Sequence, residues 1–147
     1  MALTDFLSKD DQTRITDAIT MAEKRTSGEI CVHITPKCGG DVMEAAEKKF
    51  NKLGLYKTER RNAVIIYVAY KRKKFAILGD EGINNVVPDD YWRVEKDTLG
   101  KYLSQGKPAD GICEVVAQIG ESLATYFPPV ENDVNELSND VSYSDDE

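Results

Sequence analysis

Apolar residues recur at helical spacing at Ile15, Ala18, Ile19 and Ala22, behind a Ser8-to-Asp11 spacing that resembles a capping box. A helix is expected over about residues 9 to 25, with Gly28 in the connection that follows. Glu29 to Thr35 alternates, with Ile30, Val32 and Ile34 on one side and Cys31 and His33 on the other, which predicts a strand stopped by Pro36. Asp41 is placed to cap a second helix carrying Ala45, Ala46, Phe50 and Leu53, and Gly54 is placed to end it. Ala63 to Tyr70 is apolar without interruption, as in a central strand covered on both faces. The cationic run Lys71 to Lys74 then leads into Phe75-Ala76-Ile77-Leu78, so the two strands should form an antiparallel hairpin.

Asp80 to Asp90 reads as a loop, with a short extended piece at Ile83 to Val87. Pro88-Asp89-Asp90 opens a third long helix holding Tyr91, Trp92, Val94, Leu99, Tyr102 and Leu103, closed by Gly106. Pro108 starts a fourth, striped by Ile112, Val115, Val116, Ile119, Leu123 and Tyr126 and broken at Phe127-Pro128-Pro129. This order of elements predicts an α/β protein: a three-layer α/β/α sandwich with a small mixed sheet of about four strands. Residues 1–127 form the expected domain. Residues 128–147 form an acidic, partly disordered tail in which Val134, Leu137, Val141 and Tyr143 leave room for docking.

Charge sharpens that division. The chain has 147 residues with 26 acids and 19 bases. Seven acids and no base lie in the last twenty residues, and removing them leaves 19 acids against 19 bases. A neutral body with an acidic tail suits neither a DNA nor an RNA backbone. The longest apolar run, eight residues, is far short of a bilayer span. Three cysteines and no basic-then-apolar start lead us to expect a cytoplasmic protein with free thiols, no membrane association and no secretory leader. A protein partner stays open, including a basic one recognising the tail.

Most common catalytic patterns do not occur. The sequence has neither a phosphate-cradling glycine loop nor a nucleophile elbow. Its one histidine, His33, lies mid-strand and reads as a packed or hydrogen-bonded structural residue. Cys31, His33 and Cys38 match no common zinc spacing. The strongest local feature is the stretch from Gly79 to Asp90, where Asp80, Glu81, Asp89 and Asp90 accompany Asn84 and Asn85. Hard divalent cations such as calcium and magnesium take such oxygen ligands, and Gly79 and Gly82 let the backbone bend closely. The same residues also read as solvated turn and cap positions, neutralised by Arg60, Arg61 or the Lys71–Lys74 turn.

The segments Ser27-Gly28-Glu29-Ile30, Arg61 to Ala69, Arg72 to Ile77 and Gly79-Asp80-Glu81-Gly82-Ile83 resemble the TPM domain family. So do Trp92, Gly111-Ile112 and Ile119-Gly120, and the ending Phe127-Pro128-Pro129 is similar to that of the short, stand-alone bacterial type. The resemblance spans about Ser8 to Tyr126 and implies an α/β/α sandwich with a divalent-metal site, often calcium, where loops meet at the sheet edge. Carried onto this chain, it implies Asp80, Glu81, Asp89 and Asp90 as metal ligands and the loop around Glu59 to Asn62 as their crossing partner, with calcium ahead of magnesium. The family includes a member described as an acid phosphatase. The expectation is therefore a metal-binding module with a regulatory or interaction role; the alternative is a metal-dependent acid phosphatase acting on small phosphate esters. The expectation is a chain without the signal peptide, anchor and glycine-rich tail of the long members, and no phosphatase nucleophile or general base is evident.

Overall fold

A computed structural model describes residues 2–129 and 141–143. The central layer is a sheet in the order β3-β2-β1-β4. Strands β1 (Glu29–Thr35) and β2 (Ala63–Ala69) run parallel, pairing Glu29 with Ala63 through Thr35 with Ala69. Strand β3 (Lys74–Gly79) returns antiparallel to β2, with Ala69 opposite Lys74. All seven residues of β2 are buried, as its unbroken apolar run requires of a strand covered above and below.

The two faces of the sheet have separate cores. Ile30, Val32, Ile34, Val64, Ile66 and Val68 face one side. They are covered by helices α2 (Lys9–Glu23), α5 (Tyr91–Ser104) and α6 (Pro108–Tyr126), with the short α1 (Leu3–Phe6) beside them. Ala63, Ile65, Tyr67 and Ala76 face the other side, where α3 (Val42–Lys52) and a 3-10 turn (Leu55–Lys57) supply Ala46, Phe50 and Leu55. Period-two alternation in the strands thus divides the apolar residues between the two faces of an α/β/α sandwich.

Helices α2 and α6 run side by side in the same direction. Arg14 in α2 pairs with Asp110 in the first turn of α6 at 2.7 Å, and at the other end the Thr26 hydroxyl donates to the carbonyls of Leu123 and Phe127. Gly120 permits the close approach, since a Cβ there would stand 2.6 Å from that of Ala22. The expected capping box of α2 is present, with Ser8 Oγ accepting from the Asp11 amide and Asp11 accepting from the Ser8 amide. Asp41 and Asp90 occupy the cap positions of α3 and α5 without making a side-chain cap bond.

One expectation needs correction. Ile83 to Val87 contains no extended piece: Glu81–Asn84 is a helical turn, α4, started by Asp80, whose carboxylate accepts from the Glu81 amide at 2.8 Å. The fourth strand instead comes from the expected tail. Strand β4 (Ser142–Tyr143) pairs parallel with β1, opposite His33 and Ile34, and Val141 beside it is 7% exposed. All seven acids of the tail, with Val134 and Leu137, lie outside the described residues. His33 has the structural role expected of it, with Nδ1 2.8 Å from Ser142 Oγ and its ring stacked on Tyr67. Among the described residues no helix is long and apolar enough to cross a membrane.

Candidate functional site

Strand β3 ends at Gly79, and the chain turns at once into α4. Two close approaches fix this turn. A Cβ on Gly79 would lie 2.2 Å from Trp92 Cζ2 of α5, and one on Gly82 would lie 2.1 Å from the Arg60 carbonyl oxygen. Only glycine admits the indole on one side and the loop before β2 on the other. Backbone bonds lace that loop to the turn: the Asp80 amide donates to Ala63 O at 3.0 Å and the Gly82 amide to Arg61 O at 2.9 Å. The expected crossing partner, Glu59 to Asn62, therefore does meet the acidic turn.

Arg61 makes the polar contact across that crossing. It holds a left-handed backbone, φ 52°, sparsely populated for a residue with a side chain. Its Nε donates to Asp80 Oδ2 at 2.7 Å and its Nη2 to Asp80 Oδ1 at 2.9 Å. This fork-on-carboxylate geometry is the strong form of the pair. Nη1 reaches Glu81 Oε1 at 3.2 Å. The Asp80 side chain is only 7% exposed against 41% for Arg61, so a buried carboxylate is matched by a partly wet cation. The bond to Asp80 raises the Arg61 pKa further above its ordinary value.

Arg61, Asp80, Leu78 and Asn84 open onto a cleft of about 330 Å³, whose opposite wall is Glu47, Phe50 and Asn51 of α3. Asn84 is fixed on both sides, donating to Gly79 O at 3.0 Å and accepting from Trp92 Nε1 at 2.7 Å. Trp92 thus joins the first turn of α5 to the acidic turn.

The four expected ligands do not assemble as one set. Asp80 and Glu81 meet at Arg61, whereas Asp89 and Asp90 are exposed at the start of α5, where Asp90 lies 3.4 Å from Arg93. Among the described residues no three carboxylate, histidine or cysteine groups converge as a metal would require. The donor chemistry of the cleft nevertheless suits a hard cation: Asp80 and Glu47 carboxylates and the Asn51 amide bring oxygen. Arg61 stands as the counter-charge that such an ion would have to meet. Sequence reasoning missed Glu47 and Asn51. They sit four apart, each one position after the buried Ala46 and Phe50, so they follow α3 onto the sheet without entering the core.

Comparison with known proteins bears on the fold and the family. The BA42 protein from the psychrophilic bacterium Bizionia argentinensis, solved by NMR, superposes with a TM-score of 0.89 at 38% identity, over 97% of this chain and 99% of that one. The N-terminal domain of the cg2496 protein from Corynebacterium glutamicum shares the fold, with a TM-score of 0.65 at 20% identity, over 82% of this chain and 76% of that one. Among curated proteins none matches significantly. The sequence profile of the TPM domain matches residues 1–122, and the chain accordingly belongs to the TPM domain family.

Proposed function

We propose that this TPM domain binds a divalent cation, calcium ahead of magnesium, at the acidic turn after β3, and that it serves a regulatory or interaction role without catalysis. One observation carries the reading: a buried carboxylate, Asp80, faces a cleft of about 330 Å³ with its charge balanced by a single, partly exposed guanidinium. Calcium tolerates irregular oxygen coordination completed by water, so a site with few fixed carboxylates suits it. Asp80 and Glu81 would hold the ion, with Glu47 and Asn51 across the cleft. Asp89 and Asp90 add negative charge in the same segment. Within the chain, Arg61 must release part of its grip, and the contact to Glu81 at 3.2 Å is the weaker one. The bound ion would supply positive charge that ties the turn to α3 and alters the surface offered to a protein partner.

The test is a calcium and magnesium titration followed residue by residue by NMR, alongside thermal unfolding with and without chelator. Saturation at about 100 times the dissociation constant adds roughly 2.7 kcal/mol of stability. Shifts centred on Gly79 to Asn84, lost in Asp80→Asn, are expected. Unchanged spectra at millimolar calcium and magnesium would overturn the proposal. Turnover of an aryl phosphate abolished both by chelator and by Asp80→Asn would replace the non-catalytic role with the phosphatase one.

A further inference from the structure

Helix α5 buries only two of its residues, Leu99 and, one turn earlier, Glu95. Leu99 is an ordinary core residue. Glu95 is 4% exposed, and its Oε2 is buried with no hydrogen-bond partner in the protein. One turn before it, the Tyr91 hydroxyl is also buried, with Ser122 of α6 as its hydrogen-bonding neighbour. A buried polar atom without a partner costs free energy, and a buried unpaired charge costs more.

Among the described residues no cation acts on Glu95. Glu114 of α6 is the charge that acts on it, and it is negative. Tyr91 of its own helix lies close, with Tyr126 of α6 beyond it. Strand β3, also packed on α5, carries one titratable residue, Lys74, which is exposed. Burial first, and Glu114 second, push the Glu95 carboxyl up to about 7. Ionisation there would put a buried, unpartnered carboxylate in the α5–α6 seam, facing the negative charge of Glu114, which is itself exposed and accepts from Gln118 at 2.9 Å.

The first turn of α5 lies between this seam and the candidate site. Trp92, three residues before Glu95, packs against Gly79 and bonds Asn84, and Tyr91 stacks edge-on against it with ring centres 5.0 Å apart. A helix moves as a stiff unit, so a small opening of the seam at Glu95 shifts Trp92. The Trp92 ring occupies the space that a Gly79 Cβ would fill and bonds Asn84, so such a shift is passed to the turn.

We propose that Glu95 is a proton-controlled latch between α5 and α6, and that its protonation state sets how Trp92 seats on the Gly79–Asn84 turn. The neutral carboxyl closes the seam and the carboxylate loosens it. The latch goes beyond the cation reading and stands without it, since its working parts are Glu95, Tyr91, Glu114 and Trp92.

The experiment is a pH titration by NMR of the metal-free protein from pH 5 to 8.5, reading the Glu95 side-chain carboxyl carbon and the Trp92 indole N–H. Both should move with one midpoint near 7. In Glu95→Gln, an isosteric neutral mimic, the indole signal should lose that inflection and hold its low-pH position. A Glu95 carboxyl that titrates near the ordinary glutamate value would overturn the latch. An indole that stays still while Glu95 titrates, or that titrates equally in Glu95→Gln, would overturn the coupling to Trp92.

Discussion

At the scale of single residues, the acidic turn depends on what is absent from Gly82. Its would-be Cβ meets two backbone carbonyls, Arg60 O at 2.1 Å and Arg61 O at 2.6 Å, and backbone cannot rotate aside as a side chain can. Gly82→Ala should therefore push away the loop before β2 and cost about 1–3 kcal/mol, as overpacking does, measurable as a lower urea midpoint. The same displacement would pull Arg61 off Asp80, so any cation response of the turn should change with it. Gly106→Ala is the contrasting case: its Cβ would meet nothing within 4 Å, leaving only the cost of φ +72°.

At the scale of elements, legibility followed the origin of each element's stability. Helices α2, α5 and α6 and the β2–β3 hairpin carry their own signal in periodic apolar residues, a cap or a charged turn, and the sequence pointed to each. Helix α4 is one turn long, too short for periodicity, and rests on the Asp80 cap and the backbone bond from Gly82. Strand β4 has two residues in a segment rich in Asn, Asp and Ser, and only the edge of β1 makes it a strand. The candidate site was legible in part for the same reason. Asp80 and Glu81 announce themselves, whereas Glu47 and Asn51 join them only through the packing of α3 on the sheet. Because β4 is held by its partner, removing it should matter more than its length suggests. Val141→Ala deletes two buried methyl groups, worth about 1.5 kcal/mol. A chain ending at residue 140 should lose more, since it also loses the β1 pairing and the Ser142 bond to His33; denaturant unfolding measures both.

At the scale of the whole molecule, Glu95 gives stability a slope with pH. Its folded value is about 7 against an ordinary 4.5, so the folded state holds a proton that the unfolded chain gives up. The contribution is complete below pH 4.5 and is lost as pH rises to 7. The urea midpoint should fall between pH 5 and pH 8, and Glu95→Gln should flatten the slope by keeping stability at pH 8. A Glu95→Gln protein with the same slope would assign the effect to other groups.

The parallel pairing of α2 with α6 has a consequence for how the chain is made. These helices meet through contacts 96 to 101 residues apart in sequence, from Arg14–Asp110 to Thr26–Phe127. During synthesis α2, β1, β2 and β3 emerge first, and the sheet face bearing Ile30, Val32, Val64 and Ile66 waits for the rest of its cover. Helix α2 is already there to cover part of it, and α5 and α6 follow only after the three strands. The nascent chain thus carries this apolar sheet face only partly covered until α5 and α6 arrive, a natural target for a chaperone.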